Sequence, residues 1–285
     1  MFKNTMKTTV LLAGLGGLIV MVAGVLGGRS ALPIGLGIAL VMVGGSYWFS
    51  DKLALRSAHA TVIGPQDHPQ FYGMVQSLAE RAGMPMPRVA ISPGEQPNAF
   101  ATGRGPRNAV VCATKGLLET MPREEVEAVM AHELMHVKHR DILIGSVAAA
   151  IATAISFIAQ MAMYASMFGG GRNDEDRPNP IALILTMLLA PLAASMIQMA
   201  VSRSREFEAD RGAAELLGTG RTLAGALDRI EQIATRRPMM VNPAQAQAYI
   251  HNPLAEARSS NGLRMAKLFS THPSTEERIA RLMAM

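Results

Sequence analysis

The chain predicts a mainly α fold with a small β-sheet: a water-exposed domain interrupted by one helical hairpin and preceded by another. Three observations predict it. Charge is absent from long stretches, helix and strand periods fill the charged remainder, and two short His/Glu/Asp runs flank the second uncharged stretch. Of 285 residues, 49% are hydrophobic and 17% charged. With a mean hydropathy of +0.19, that balance is too apolar for an ordinary soluble enzyme and too charged for a wholly embedded chain.

Between Thr8 and Phe49 the only charge is Arg29, and none falls between Ile142 and Gly171 or between Pro178 and Ser202. Residues 9–26, 31–49, 142–168 and 179–201 are therefore expected as spans, each near or above the roughly 20 residues that cross a bilayer. The run Gly27-Gly-Arg-Ser30 makes the first tight turn. The first span is not read as a cleaved signal peptide, because its apolar run is long and no small-residue cleavage site follows. Tyr47 and Trp48 end the second span, where aromatic rings prefer the interface. The second hairpin has an alternative reading as a buried core element, which its length argues against.

Lys and Arg set the orientation. Lys3, Lys7, Lys52, Arg56, Lys138, Arg140, Arg203 and Arg205 flank the spans on one side, against Arg29 and a loop with two Arg and three acids on the other. Positive-inside logic puts both termini and the polar segments in the cytoplasm. The expected organisation is an N-terminal transmembrane hairpin over 1–50, a first part of the catalytic domain over 51–141, a second transmembrane hairpin over 142–201, and the rest of the domain over 202–285. A net charge of +5 suits contact with anionic lipid. No basic stripe with interleaved aromatics points to nucleic acid. The single cysteine, Cys112, excludes an internal disulfide.

Within the polar segments, Phe71, Met74, Val75, Leu78 and Ala79 recur at helical spacing over 66–82. Strand-like runs follow at 88–91, 99–102 and 109–113, the last two separated by Gly-Arg-Gly-Pro-Arg turn chemistry. Pro122 suits a first helical position, and Glu124 and Glu125 suit the positive end of the dipole of a helix that continues to His136. Further helices are expected over 221–236 and from Thr275 to the end.

On the helix that starts near Pro122 lies His132-Glu-Leu-Met-His136. Four residues apart, the imidazoles of His132 and His136 share one face and can reach one metal ion. Glu133 sits one step round, placed to take a proton from a metal-bound water. A third ligand is sought in Ser202-Arg-Ser-Arg-Glu-Phe-Glu-Ala-Asp210. Glu206 offers a hard oxygen, and Asp210, one turn on, can accept the free ring N–H of a ligating histidine. Glu208 reads as solvated, and Arg203 and Arg205 as ion-pair or interface residues. Because the uncharged hairpin leaves after His136 and returns before Glu206, its two ends bring these distant residues side by side. The competing reading is an amphipathic helix with a solvated His/Glu face.

His-Glu-x-x-His together with Ser-Arg-x-Arg-Glu-Phe-x-Ala-Asp resembles the HtpX family of membrane zinc metalloproteases, gluzincins related to the CAAX prenyl protease. The similarity extends to Asn98-Ala-Phe-Ala-Thr-Gly103, Gly116-Leu-Leu-Glu119 and His272-Pro-Ser-Thr-Glu-Glu-Arg-Ile279. It implies a zincin-like catalytic domain with one Zn²⁺ per subunit held by His132, His136 and Glu206, and Glu133 as general base. It further implies His272 near the developing oxyanion, and Asn98, Ala99 and Phe100 in a substrate-lining edge strand. The expected activity is endopeptidase cleavage of misfolded or damaged membrane proteins under stress, at the cytoplasmic face of a prokaryotic inner membrane. Two other classes stay open. An intramembrane protease would place the motif within a span, which Glu124, Glu125, Glu127, Lys138 and Arg140 argue against. A membrane scaffold or transporter with a structural metal would not depend on Glu133 for activity.

Overall fold

The computed structural model describes residues 2–27, 29–142, 203–236 and 273–285. The expected spans at 142–168 and 179–201, and His272, lie outside the described residues apart from Ile142. Helices α1 (Phe2–Gly27) and α2 (Leu32–Ser57) are joined through a 3-10 turn at Arg29–Ala31. They pack closely at Gly35, where an added Cβ would lie 2.4 Å from the Ala23 Cβ. Ile34, Leu36, Leu40 and Val41 on α2 are exposed. Among the described residues no single helix is long and apolar enough to cross a membrane. The α2 segments Leu32–Gly45 and Tyr47–Ser57, bent by 63°, meet that test together.

Helix α2 runs on to Ser57, beyond the expected end at Phe49, because its last turns have a sheet to cover. Four strands, β1 (Thr61–Ile63), β2 (Arg88–Ser92), β3 (Ala99–Gly103) and β4 (Ala109–Thr114), pair in the order β1-β2-β4-β3. The β2–β4 pair is parallel and the other two are antiparallel. Side-chain alternation along each strand gives the sheet two faces. Ala90, Phe100, Val110 and Cys112 pack with Leu55 of α2 and with Ala58 just beyond its end. The alternate residues Val89, Ala99, Val111 and Ala113 join the main core. An Asp51–Arg88 ion pair and the Arg104 guanidinium 4.4 Å from the centre of the Trp48 ring tie α2 further to the sheet. Strand β1 was not anticipated; three residues carry too little alternation to signal a strand.

The main core lies between the sheet and the helices α3 (Pro69–Arg81), α4 (Lys115–Thr120), α5 (Arg123–His139), α6 (Arg203–Leu217), α7 (Arg221–Arg236) and α8 (Thr275–Met283). Helix α3 buries the five residues picked out by spacing. Helix α5 is buried over most of its surface, including Ala128, Val129, Met130, Ala131 and Leu134. Pro122, expected as the first helical residue, is instead its N-cap, so the helix starts one position later at Arg123. Helix α6 comes close enough to α5 that a Cβ on Gly212 would meet Met135 at 2.8 Å. At the other end of the core, Ser274 caps α8 by accepting from the Glu277 N–H. Gly220 lets the main chain of Leu282 approach.

Candidate metal centre

Because α5 rises 3.6 residues per turn, His132 and His136 stand one above the other, their rings 4.7 Å apart and perpendicular. Each donates its Nδ1–H to a carboxylate: His132 to Asp210 Oδ1 at 2.9 Å, His136 to Asp141 Oδ2 at 3.2 Å. That fixes both tautomers, so both Nε2 atoms turn inward, 3.1 Å apart. Glu206 of α6 faces them, with Oε2 3.7 Å from His132 Nε2 and Oε1 3.6 Å from His136 Nε2. One ligand atom from each of the three lies within 4.8 Å of the others. Two imidazole nitrogens and one carboxylate oxygen make a donor set that suits a zinc ion.

The charges fit a cation. Burial pushes the His136 ring towards neutrality, but Asp141, Glu206 and Glu133 outweigh it and raise its pKa to about 10. Without metal, the site thus holds a proton where a dication would answer the same carboxylates. His132 goes the other way: complete burial lowers it despite Asp210. Glu133 is 3% exposed. Burial is the largest cause of a pKa raised to about 7, with Glu206 and Asp141 adding to it and His136 and Arg278 opposing.

Arg278, on α8, grips Asp210 with both arms of its fork, Nε to Oδ2 at 2.8 Å and Nη2 to Oδ1 at 2.6 Å. Burial alone would raise the Asp210 pKa, yet Arg278 and His132 bring it down to about 2. Arg205 is buried beside the site, and burial is the main cause that lowers its pKa, against Asp141, Glu206 and Glu208.

A sequence profile of peptidase family M48 matches residues 65–285. The chain is 53% identical to a Protease HtpX homolog of Methylibium petroleiphilum over 99% of this chain and 98% of the relative. The chain belongs to peptidase family M48, among the HtpX proteases. A Protease HtpX homolog of Ralstonia pickettii is 52% identical to this M48 peptidase, over 99% of this chain and 96% of the relative. The crystal structure of S. mikatae Ste24p aligns with a TM-score of 0.51 at 19% identity, covering 99% of this chain and 66% of that one. That last likeness is one of fold.

The M48 chain brings together every described residue that its sequence nominated for the metal centre: His132, Glu133, His136, Glu206 and Asp210. Glu208 is exposed, as read. Asn98, just before β3, and Ala99 and Phe100 within it are buried, so their side chains are turned into the protein. Two residues of the centre were missed. Asp141 lies beyond the helix end and reaches back only because Arg140 takes a left-handed φ of 59°; no helical spacing announces that. Arg278 sat inside a quoted motif, but nothing local links α8 to a site 146 positions away.

Proposed function

We propose that this protein is a membrane-bound, zinc-dependent endopeptidase with His132, His136 and Glu206 as the metal ligands and Glu133 as general base. The observation that carries it is the convergence of the two Nε2 atoms and the Glu206 carboxylate within 4.8 Å, with a proton-poised Glu133 beside them. Zinc bound there would polarise the scissile carbonyl and acidify a water. Asp210 and Asp141 hold the two imidazoles in the tautomer that leaves Nε2 free. Glu133, with its pKa raised to about 7, is matched to taking a proton from water and passing it to the leaving amine. His272 is assigned to the developing oxyanion from its place in the family motif.

Strand β3 supports main-chain capture of substrate. Among the described residues it is the outer strand beside β4. The Thr114 N–H donates to Asn98 O, so antiparallel alternation pairs Phe100 and Thr102 towards β4 and turns the polar groups of Ala99 and Ala101 outward. The Ala99 N–H is taken by Asn98 Oδ1, which makes Ala101 the open donor. An extended peptide added there is held without a side-chain code, which suits unfolded or damaged proteins as substrates. The apolar α1–α2 pair and the two uncharged runs at 142–171 and 178–202 support anchorage in a prokaryotic inner membrane, with the catalytic domain, 51–141 and 202–285, on the cytoplasmic side. Stress-related quality control is the role the reading assigns, with unfolded protein as substrate and the lipid bilayer, rather than nucleic acid, as the other partner. Zinc content and cleavage of casein, measured on the purified chain and on Glu133→Gln, test the reading. The expected result is one zinc in each and cleavage only in the unaltered chain; cleavage by Glu133→Gln sinks it.

A further inference from the structure

We infer that Arg278 is a positioning residue of the metal centre, through which the C-terminal helix α8 aims His132 and Glu206 at the ion. The inference rests on the ligand assignment just made. Arg278 is 3% exposed. Two arms of its guanidinium occupy both oxygens of Asp210. Its third nitrogen, Nη1, lies 3.7 Å from Glu206 Oε2. Asp210 Oδ1 is shared between Arg278 Nη2 and His132 Nδ1, so the guanidinium, the carboxylate and the imidazole form one chain of contacts. A carboxylate alone at the end of a side chain rotates freely. Gripped at both oxygens, Asp210 has one orientation to offer His132, and that orientation sends Nε2 inward. The same planar fork places positive charge beside Glu206 Oε2, the oxygen that also faces His132 Nε2, which restrains the third ligand too.

Arginine is required by shape as well as by charge. A lysine ammonium is a point donor that cannot meet both Asp210 oxygens and Glu206 together. The helix that carries Arg278 is itself fixed by the Ser274 cap and by Leu282, which is fully buried against the core. An arginine that merely anchored α8 would be interchangeable with other anchors of that helix, so Leu282→Ala separates anchoring from positioning.

The test uses the full chain in detergent, reading zinc affinity by chelator competition and the visible spectrum of the Co²⁺-substituted protein. Arg278→Met is expected to weaken zinc binding about 10- to 100-fold, the range for partners that orient metal ligands, and to shift the cobalt bands. Arg278→Lys should restore only part of the affinity. Asp210→Asn combined with Arg278→Met should bind about as weakly as Arg278→Met alone, because both act through one contact chain. Leu282→Ala should leave the cobalt spectrum unchanged. The inference is overturned if Arg278→Met, or Arg278→Lys where the former fails to fold, keeps the unaltered affinity and spectrum. It is equally overturned if Leu282→Ala reproduces their effect. Glu206→Ala and His136→Ala, run alongside, report on the ligand assignment itself: undiminished zinc binding in both removes that assignment whatever Arg278 does.

Discussion

Replacing Glu133 by Gln should make the metal-free protein more stable while it abolishes cleavage. Burial and nearby carboxylates raise the Glu133 pKa from 4.5 to about 7. An acid with a raised folded pKa binds its proton more tightly in the fold than in the unfolded chain. Folding stability therefore falls as pH climbs from 4.5 to about 7, and the loss stays complete above that. At about 1.4 kcal/mol per pKa unit, the full cost is on the order of 3 kcal/mol. Glutamine has nearly the same shape and no charge to desolvate, so it is spared that cost. Chemical unfolding of zinc-free protein at about pH 5 and about pH 8 reads the effect. Little should separate the variants at the lower pH, with Glu133→Gln the more stable at the higher. The contribution of His136, present below 6.5 and lost as pH rises through about 10, occurs in both proteins and largely cancels. A stability difference that does not change between the two pH values would refute the reasoning: the buried carboxylate would then not be carrying a cost of ionisation.

Other outcomes follow from the same geometry. Glu206→Ala should lose zinc far more readily than Glu208→Ala, read by metal analysis after dialysis; equal occupancy would move the third ligand elsewhere. Asp141→Asn should weaken zinc binding by roughly tenfold, since His136 loses the acceptor that orients it; an unchanged dissociation constant would make that contact incidental. The Cys112 thiol, its pKa pushed up to about 12 chiefly by burial, should resist iodoacetamide in the folded protein and react on unfolding, as mass spectrometry would show. Gly116→Ala places a Cβ 1.9 Å from the Glu95 carbonyl oxygen, so a loss of about 1–3 kcal/mol in denaturant unfolding is expected.

What could be read from the sequence tracks how local the signal is. The residues of α3 announce their buried face by spacing alone, and strands β2, β3 and β4 end within a residue of where alternation and turn residues placed them. His132 and His136 were legible because one helical turn joins them. Glu206 was legible because its own helix repeats the four-residue step to Asp210. Asp141 was hidden behind a backbone reversal at Arg140, a residue type that gives no hint of a left-handed conformation. Arg278 was hidden because its meaning depends on where α8 docks, which is a matter of its Leu282 entering the core beside Gly220. The far end of α2 was misjudged for a similar reason: polarity rises after Phe49, yet Leu55 and Ala58 still have a surface to cover.

The docking of α2 on the sheet also sets a height. The helix continues from Phe49 to Ser57, so about 12 Å of rod along its axis separates the end of the apolar run from its last residue. On the proposed membrane reading, that rod works as a ruler between the lipid boundary and the level at which Leu55 and Ala58 cover the sheet. Crossing 12 Å takes about four residues of extended chain. A tightly folded loop hugging the bilayer falls short of that level, whereas a neighbour that has let a few residues unravel can reach it. The distinction between sound and damaged proteins would then be made by reach before any bond is cut.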